Sequence, residues 1–262
     1  MIEKIHPIPA FSDNYIWVFT DSDNSNACVV DPGDAAPVAD YLAAHKLNLS
    51  DILITHHHPD HTGGVAKLVA EYQPRVFGPA NSPFKAVTRG LQENDQIDVY
   101  GLTFQILEVP GHTLDHIAYY CNSGLAASQP ILFCGDTMFA AGCGRIFEGD
   151  PPMMYHSLQK LAALDADSRV YCTHEYTLAN LRFAAAADPD NRQLQERTAI
   201  AERDRQNNIP TVPSSLSLEL ATNPFLRCHE DALRTSAQSQ CDSRLDNATE
   251  VFASLRQWKD NF

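Results

Sequence analysis

The residues best suited to chemistry lie in Thr55-His56-His57-His58-Pro59-Asp60-His61-Thr62-Gly63-Gly64, where four histidines and an aspartate share six positions. The run follows the apolar triplet Ile52-Leu53-Ile54 directly. Alternate residues of an extended chain point the same way, so a strand ending here sends His56 and His58 to one side. Asp60 and His61 follow where the chain must turn, and approach from a second direction. Imidazole nitrogens and carboxylate oxygens are suitable ligands for zinc, iron or manganese. Gathering imidazoles against an apolar strand with no ion would leave ring nitrogens unpaired at a cost in free energy. A surface histidine patch is the plainer alternative, but it gives no reason for the ordered spacing. A metal site is expected here.

Three further donors each follow a strand-like segment. Pro110-Gly111-His112-Thr113 comes after Val109, Cys134-Gly135-Asp136-Thr137 after Phe133, and Cys172-Thr173-His174-Glu175-Tyr176 after Tyr171. Strand ends of mixed α/β folds are where loops gather chemistry. Taken singly, a Gly-His or Gly-Asp pair more often marks a turn. With the first cluster these elements give seven candidate ligands: His56, His58, Asp60, His61, His112, Asp136 and His174. Seven is too many for one tetrahedral ion but suits two ions sharing a carboxylate. In such centres the ions lie roughly 3.5–4 Å apart and activate a bridging water. The expected cofactor is therefore two divalent metal ions, zinc foremost, with iron or manganese as alternatives.

The elements that must position these donors follow from apolar spacing. Short strands are expected at 5–9, 15–19, 27–30 and 52–54, with a helix over 37–45. Thr62 is read as the N-cap of a helix carrying Val65, Leu68 and Val69. Further strands fall at 76–77, 97–100, 104–109, 117–120, 131–134 and 170–172, with a helix over about 153–164. Strands with occasional helices thus run to about residue 174, implying two sheets with helices outside them. Beyond it, 178–187, 194–207 and 245–258 read as helices, and Asn223-Pro224-Phe225-Leu226 as a fixed turn.

Composition narrows the class. The chain has 262 residues, 44% of them hydrophobic, as in an ordinary globular protein. Its net charge of -14 argues against general nucleic-acid binding and against nuclease chemistry. Residues 174–262 hold 10 Lys/Arg against 13 Asp/Glu, while the rest hold 9 against 20, so the tail carries most of the positive residues. No apolar run has the length of a membrane span, and Met1-Ile2-Glu3-Lys4 lacks a signal-peptide pattern. Seven scattered cysteines with no CxxC pair suit free thiols in a reducing compartment. A cytoplasmic monomer with no nucleic-acid or membrane partner is expected.

HxHxDH with the later Gly-His, Gly-Asp and Cys-x-His-Glu-Tyr elements resembles the metallo-β-lactamase superfamily, and more narrowly glyoxalase II, the hydroxyacylglutathione hydrolase family. Matching pieces include Ser12-Asp13-Asn14-Tyr15, Val30-Asp31-Pro32-Gly33, 55–64, 110–116, 133–148 and 172–184. HxHxDH alone specifies the superfamily. The helical tail, with Asn223-Pro224-Phe225-Leu226-Arg227 and Arg256-Gln257-Trp258-Lys259-Asp260, carries the narrower resemblance.

The resemblance implies an α/β fold: a four-layer αββα metallo-β-lactamase sandwich over 1–174, with a C-terminal all-α substrate-binding domain over 175–262. It also implies that His56, His58 and His112 hold one metal, that Asp60, His61 and His174 hold the other, and that Asp136 bridges them. The implied activity is hydrolysis of the S-D-lactoylglutathione thioester to glutathione and D-lactate by a metal-bridging hydroxide, the second step of methylglyoxal detoxification. Asp60 and Asp136 are the catalytic carboxylates in that scheme. Asp60, once metal-bound, would orient the hydroxide and be a poor free base.

The glutathione moiety would be held by Arg145, Tyr176, Arg256 and Lys259, since Arg and Lys suit its carboxylates. Where the family often has Lys-Phe-Tyr before Glu-Gly, this chain has Arg145-Ile146-Phe147, which keeps the charge but loses a hydroxyl. The plainer reading of Arg256 and Lys259 is a solvated helix face. His57 and His116 are read as support or packing, and His6, His45, His156 and His229 as incidental. Cys134, Cys143 and Cys172 are read as small buried thiols, and Asp31 as part of a turn supporting the site. Two rival functions stand beside the hydrolase. One is a mononuclear iron persulfide dioxygenase acting on glutathione persulfide, which the long helical tail argues against. The other is a metal-binding scaffold that has lost catalysis, which the full ligand set argues against.

Overall fold

Runs of β-branched and aromatic residues bounded by Asp, Asn, Gly and Pro become short strands, and the alanine- and leucine-rich segments become helices. A computed structural model of the chain describes residues 4–123 and 129–262. Residues 1–3, on which part of the N-terminal leader reading falls, and 124–128 lie outside the described residues. In chain order the first elements are β1 (His6–Ala10), β2 (Asn14–Thr20), β3 (Asn26–Val30), α1 (Ala35–His45), β4 (Asn48–Leu53), α2 (Pro59–Thr62) and α3 (Val65–Tyr72). Then come β5 (Arg75–Pro79), β6 (Arg89–Leu91), β7 (Gln96–Val99), β8 (Leu102–Glu108), β9 (Ile117–Cys121) and β10 (Ile131–Gly135). A small pair, β11 (Met138–Phe139) and β12 (Gly142–Cys143), precedes α4 (Pro151–Ala162) and β13 (Arg169–Cys172). The remainder is α5 (Thr177–Ala187), α6 (Arg192–Gln206), β14 (Ser214–Ser215), α7 (Leu216–Thr222), α8 (Asp231–Gln238) and α9 (Ala248–Asp260).

The chain forms two compact units: one of residues 1–108, 115–135 and 168–174, the other of 109–114, 136–167 and 175–262. In the first, β1 to β6 make one sheet in sequence order, antiparallel through β3 and parallel from β3 onward. A second sheet runs β13-β10-β9-β8-β7. Strand β2 shows how the first sheet is buried on both faces. Ile16 and Val18 pack with Val38 and Leu42 of α1 and Leu68 of α3. Trp17 and Phe19 point the other way, as alternation requires. Phe19 stacks on Phe133 of β10 at 6.0 Å and leans on Phe104 of β8, while Trp17 meets Tyr171 of β13 edge-on at 5.0 Å. Two sheets with helices outside the first are thus what the strand spacing implied.

One local expectation fails. Thr62 is not an N-cap but the last residue of α2, and its hydroxyl donates to the His58 carbonyl at 2.9 Å. Pro59 opens that single turn with its φ already set for helix, so the chain turns three residues earlier than expected. Gly64 precedes α3 instead.

In the second unit the α5 and α6 pair buries Leu181, Ala184, Leu194 and Ala201 with Ala141. Asn223-Pro224-Phe225-Leu226 is a turn, as expected: Leu226 N–H bonds the Asn223 carbonyl and Phe225 N–H bonds Asn223 Oδ1. Among the described residues no helix is long and apolar enough to cross a membrane, and no cysteine is in a disulfide. Phe19 is 1% exposed and touches both sheets of its unit. Phe19→Ala should lower stability by about 3–5 kcal/mol, transfer and cavity costs together. Denaturant unfolding checks this, and a loss under about 1 kcal/mol would mean the inter-sheet aromatic layer is not cohesive.

Candidate metal centre

Strand β4 ends at Leu53, and the chain beyond it is anchored before the histidines begin. Asp31 Oδ1 accepts the Thr55 N–H and Asp31 Oδ2 the Thr55 hydroxyl, both at 2.8 Å. With its proton directed to Asp31, the Thr55 oxygen becomes the acceptor for His56 Nδ1 at 3.1 Å. That fixes His56 as the Nδ1–H tautomer and leaves Nε2 with its lone pair. His56 Nε2 lies 3.1 Å from His58 Nδ1, so the alternate residues do converge. His116 stacks on His56 at 4.6 Å and holds the ring in plane. Gly135, at φ +47°, lets this happen: a Cβ there would lie 2.4 Å from Thr55 Oγ1 and 2.8 Å from His116 Nε2. His57 turns away and pairs with Asp115 at 2.9 Å, a carboxylate also held by Ser82.

The α2 turn brings Asp60 and His61 in from the second direction. One donor atom each from Asp60, His61 and His174 lie within 4.8 Å of one another. Asp60 Oδ2 is 3.5 Å from His61 Nε2 and 3.3 Å from His174 Nε2, and Asn14 Nδ2 donates to it at 3.2 Å. Each histidine turns its other nitrogen to a carboxylate. His61 Nδ1 is 3.0 Å from Asp31 Oδ2, and His174 Nδ1 is 2.8 Å from Asp13 Oδ1. This carboxylate–histidine arrangement fixes tautomer and ring orientation at metal sites and raises ligand basicity. The partner Asp13 is delivered by a strand-end contact: Tyr15 N–H bonds the Thr173 carbonyl at 2.7 Å, and Asn14 bridges His174. By residue type Asp13 and Asn14 suit a turn, and their segment is one of the pieces that resemble the family. They lie about 160 positions from His174, and nothing local announces the pairing.

In the second unit His112 and Asp136 come together, with His112 Nε2 at 3.6 Å from Asp136 Oδ2. His112 Nδ1 donates to the Arg145 carbonyl at 2.7 Å, so the same tautomer logic again presents Nε2. Phe147 lies edge-on to His112 at 5.3 Å and is 63% exposed.

The four candidate substrate residues have unlike settings within this unit. Arg145 is exposed, with Nε 3.6 Å from Asp260 Oδ1. Tyr176 is partly exposed and stands edge-on to Phe139. Arg256 is only 4% exposed: it donates to the Cys143 carbonyl and to Asp260, both at 3.0 Å, and covers the Phe225 ring. It does not lie on a solvated helix face. Lys259 donates to Asn180 Oδ1 and sits over Phe183. Burial, with Arg256 nearby adding repulsion, pulls its ammonium down to about 8.

Comparisons with known proteins match the chain in two segments. Residues 11–174 match the metallo-β-lactamase superfamily profile, and 175–262 match the profile described as the hydroxyacylglutathione hydrolase C-terminus. A hydroxyacylglutathione hydrolase of Pseudomonas aeruginosa is 54% identical over 260 residues, 99% of both chains. The chain belongs to the hydroxyacylglutathione hydrolase family. A second relative so described, from Hahella chejuensis, is 51% identical over 259 residues, again 99% of each. Solved structures extend the fold: BLEG-1 B3 metallo-β-lactamase has TM-score 0.61 at 20% identity, covering 86% of this chain and 99% of its own. ETHE1 from Myxococcus xanthus has TM-score 0.59 at 24%, covering 88% and 100%. The fold class is therefore the metallo-β-lactamase fold with a C-terminal helical region. The donor set of this family member, imidazole Nε2 atoms with carboxylate-anchored rings beside Asp60, fits a divalent metal ion.

Asp13 touches His174 from a half-exposed position and can be removed without opening the core. Asp13→Ala should weaken metal binding roughly 10–100-fold, the usual effect of deleting such a partner. Chelator competition measures it, and an unchanged affinity with a full metal load would show that the Asp13 contact does not govern His174.

Proposed function

We propose that this chain hydrolyses the thioester of S-D-lactoylglutathione, releasing glutathione and D-lactate in methylglyoxal detoxification. The observation that carries the reading is the 54% identity across 99% of both chains to a hydroxyacylglutathione hydrolase, which spans the ligand loops and the helical tail alike. In this reading residues 1–174 are the catalytic domain and 175–262 the substrate-binding domain. His56, His58 and His112 would hold one divalent ion, Asp60, His61 and His174 a second, and Asp136 would bridge them, with zinc foremost. Bound ions of this kind supply Lewis acidity toward the thioester carbonyl and lower the pKa of water. The protein acts as a cytoplasmic monomer. Its free thiols, most of them buried, suit the reducing compartment that this placing requires.

The chain's own residues account for binding and orientation. Arg145, Arg256 and Lys259 meet around Asp260 on one helix end, giving an acidic protein a local positive cluster for an anionic tripeptide. Tyr176 presents a hydroxyl on a ring braced by Phe139. Phe147 offers an apolar edge where a tyrosine would have added a hydrogen bond. Asp60 is held by Asn14 and flanked by two imidazoles, so it serves to orient the attacking water rather than to carry a proton away.

Three outcomes test this. Purified protein should turn over S-D-lactoylglutathione with about two metals per chain. No turnover at full metal load, or oxygen uptake with glutathione persulfide instead, would overturn the substrate assignment. Asp136→Ala should cut kcat more than about 100-fold, beyond what loss of an outer partner alone does; near-normal turnover would remove Asp136 from the centre. Lys259 carries its charge below about 8. The sign follows: kcat/KM for the anionic substrate should fall as pH rises through about 8. Lys259→Arg, charged at all accessible pH, should move that fall upward, and an unaltered profile would take Lys259 out of substrate binding.

A further inference from the structure

Glu219 is a fully buried carboxylate that the hydrolytic scheme does not use. It sits in α7, four residues before Asn223 of the fixed turn, and four donors converge on it. Arg197 Nη2 at 2.5 Å and Ser214 Oγ at 2.6 Å reach Oε1; the Ala141 N–H at 2.8 Å and Asn223 Nδ2 at 3.2 Å reach Oε2. Asn223, itself buried, also donates to the carbonyls of Phe139 and Gly142. Asn180 donates to the Ala140 carbonyl and Arg256 to that of Cys143. Every residue from 139 to 143 thus has a backbone group held by a side chain from α5, α7, α9 or the turn after α7.

The clamped segment is the β11–β12 hairpin, and both its ends lead to candidate ligands. Asp136 lies two residues before it. Just after it, Arg145 offers the carbonyl that takes the His112 Nδ1 proton. Between them Gly144 passes so close that a Cβ would sit 2.1 Å from the Asp136 carbonyl oxygen and 3.0 Å from His112 Nδ1. Ala141 holds the hairpin tip at φ +55°, a left-handed conformation that a non-glycine residue adopts only when its surroundings fix it.

We propose that Glu219 and Asn223 are positioning residues for the His112–Asp136 pair, acting through the 138–143 hairpin to set the geometry in which the two donors meet an ion. The inference rests on the reading in which His112 and Asp136 ligate metal. It assigns a role to the fixed turn of the helical tail other than substrate contact: a buried polar frame that reaches the metal side of its own unit.

The test titrates metal-free protein with Co2+, read by visible absorption and by a competing chromophoric chelator, with thermal unfolding recorded on the same samples. Glu219→Gln keeps the shape but turns an amide N–H toward one of the four donors. It should loosen the weaker-bound Co2+ roughly 10–100-fold and alter its absorption. It should also lower kcat while KM for the thioester stays within about twofold. A variant with a lower Tm but wild-type Co2+ affinity, spectrum and kcat would overturn the proposal, since a merely structural role moves only the Tm. If Glu219→Gln does not fold, Asn180→Ala, which removes the Ala140 anchor from the hairpin along with the acceptor of Lys259, takes its place in the Co2+ titration. Weakened Co2+ binding there supports the proposal, and wild-type affinity, spectrum and kcat overturn it. His112→Ala separates the two claims. If it leaves the Co2+ load unchanged, the ligand reading fails; if it lowers the load while Glu219→Gln binds normally, the positioning inference alone fails.

Discussion

A neutral imidazole has one lone pair and one N–H, and it is a dependable ligand only when the N–H is engaged elsewhere. That requirement organises this structure. His56 gives its Nδ1 proton to Thr55, His112 to the Arg145 carbonyl, and His61 and His174 face Asp31 and Asp13. Each engagement calls for a further residue in a fixed place, and apart from Thr55 beside His56 those residues come from strand ends and turns remote in sequence. Asp31, at φ +52°, serves two of them at once, orienting Thr55 with one oxygen and sharing the other between Thr55 and His61. The sheets can then be seen as the means of bringing β2, β3, β4 and β13 to one end in register, so that protons are assigned before any ion arrives.

The second unit meets the same requirement by a different route. Its donors sit on loops that follow strands, and loops drift unless their backbone groups are bonded. Here the bonding comes from buried side chains, including the Arg197–Glu219 pair, with 6% and 0% of the side chains exposed. Burying such a pair is seldom a net gain over apolar packing, whereas breaking it by removing one partner costs about 3–5 kcal/mol. A device so poor as a source of stability, yet so exacting when present, is better understood as specifying one hairpin conformation.

Much of this was legible in the sequence because metal ligands are constrained in type and spacing. HxHxDH, the Gly-His and Gly-Asp steps and the apolar run before each read as donors at strand ends. What the sequence does not show is whatever depends on long-range pairing. Asp13 looks like any turn aspartate until β2 and β13 are seen side by side. Glu219 lies in a short helix with nothing to mark it as buried, because its four donors come from segments up to 78 residues away. Thr62 misleads because Thr is a frequent N-cap, whereas the turn is set by Pro59, a good first helical residue.

Arg256 and Lys259 show how the same helix face can use two cations differently. The choice between a solvated face and a binding site, natural from sequence, omits a third possibility: a charge buried as part of the frame. The planar guanidinium fork of Arg256 satisfies a carbonyl, a carboxylate and an aromatic face together. A lysine cannot do this. Lys259, by contrast, is a compact ammonium already stripped of much of its water, with its proton held less firmly than usual. Such a group has less hydration to lose when an anion approaches, so the anion gains more from meeting it than from meeting an exposed lysine. Reversing the two residues would leave a titratable group in the frame and a broad guanidinium fork where Asn180 and the Phe183 ring hold a compact ammonium. The order Arg-x-x-Lys in α9 therefore follows from which position uses the fork.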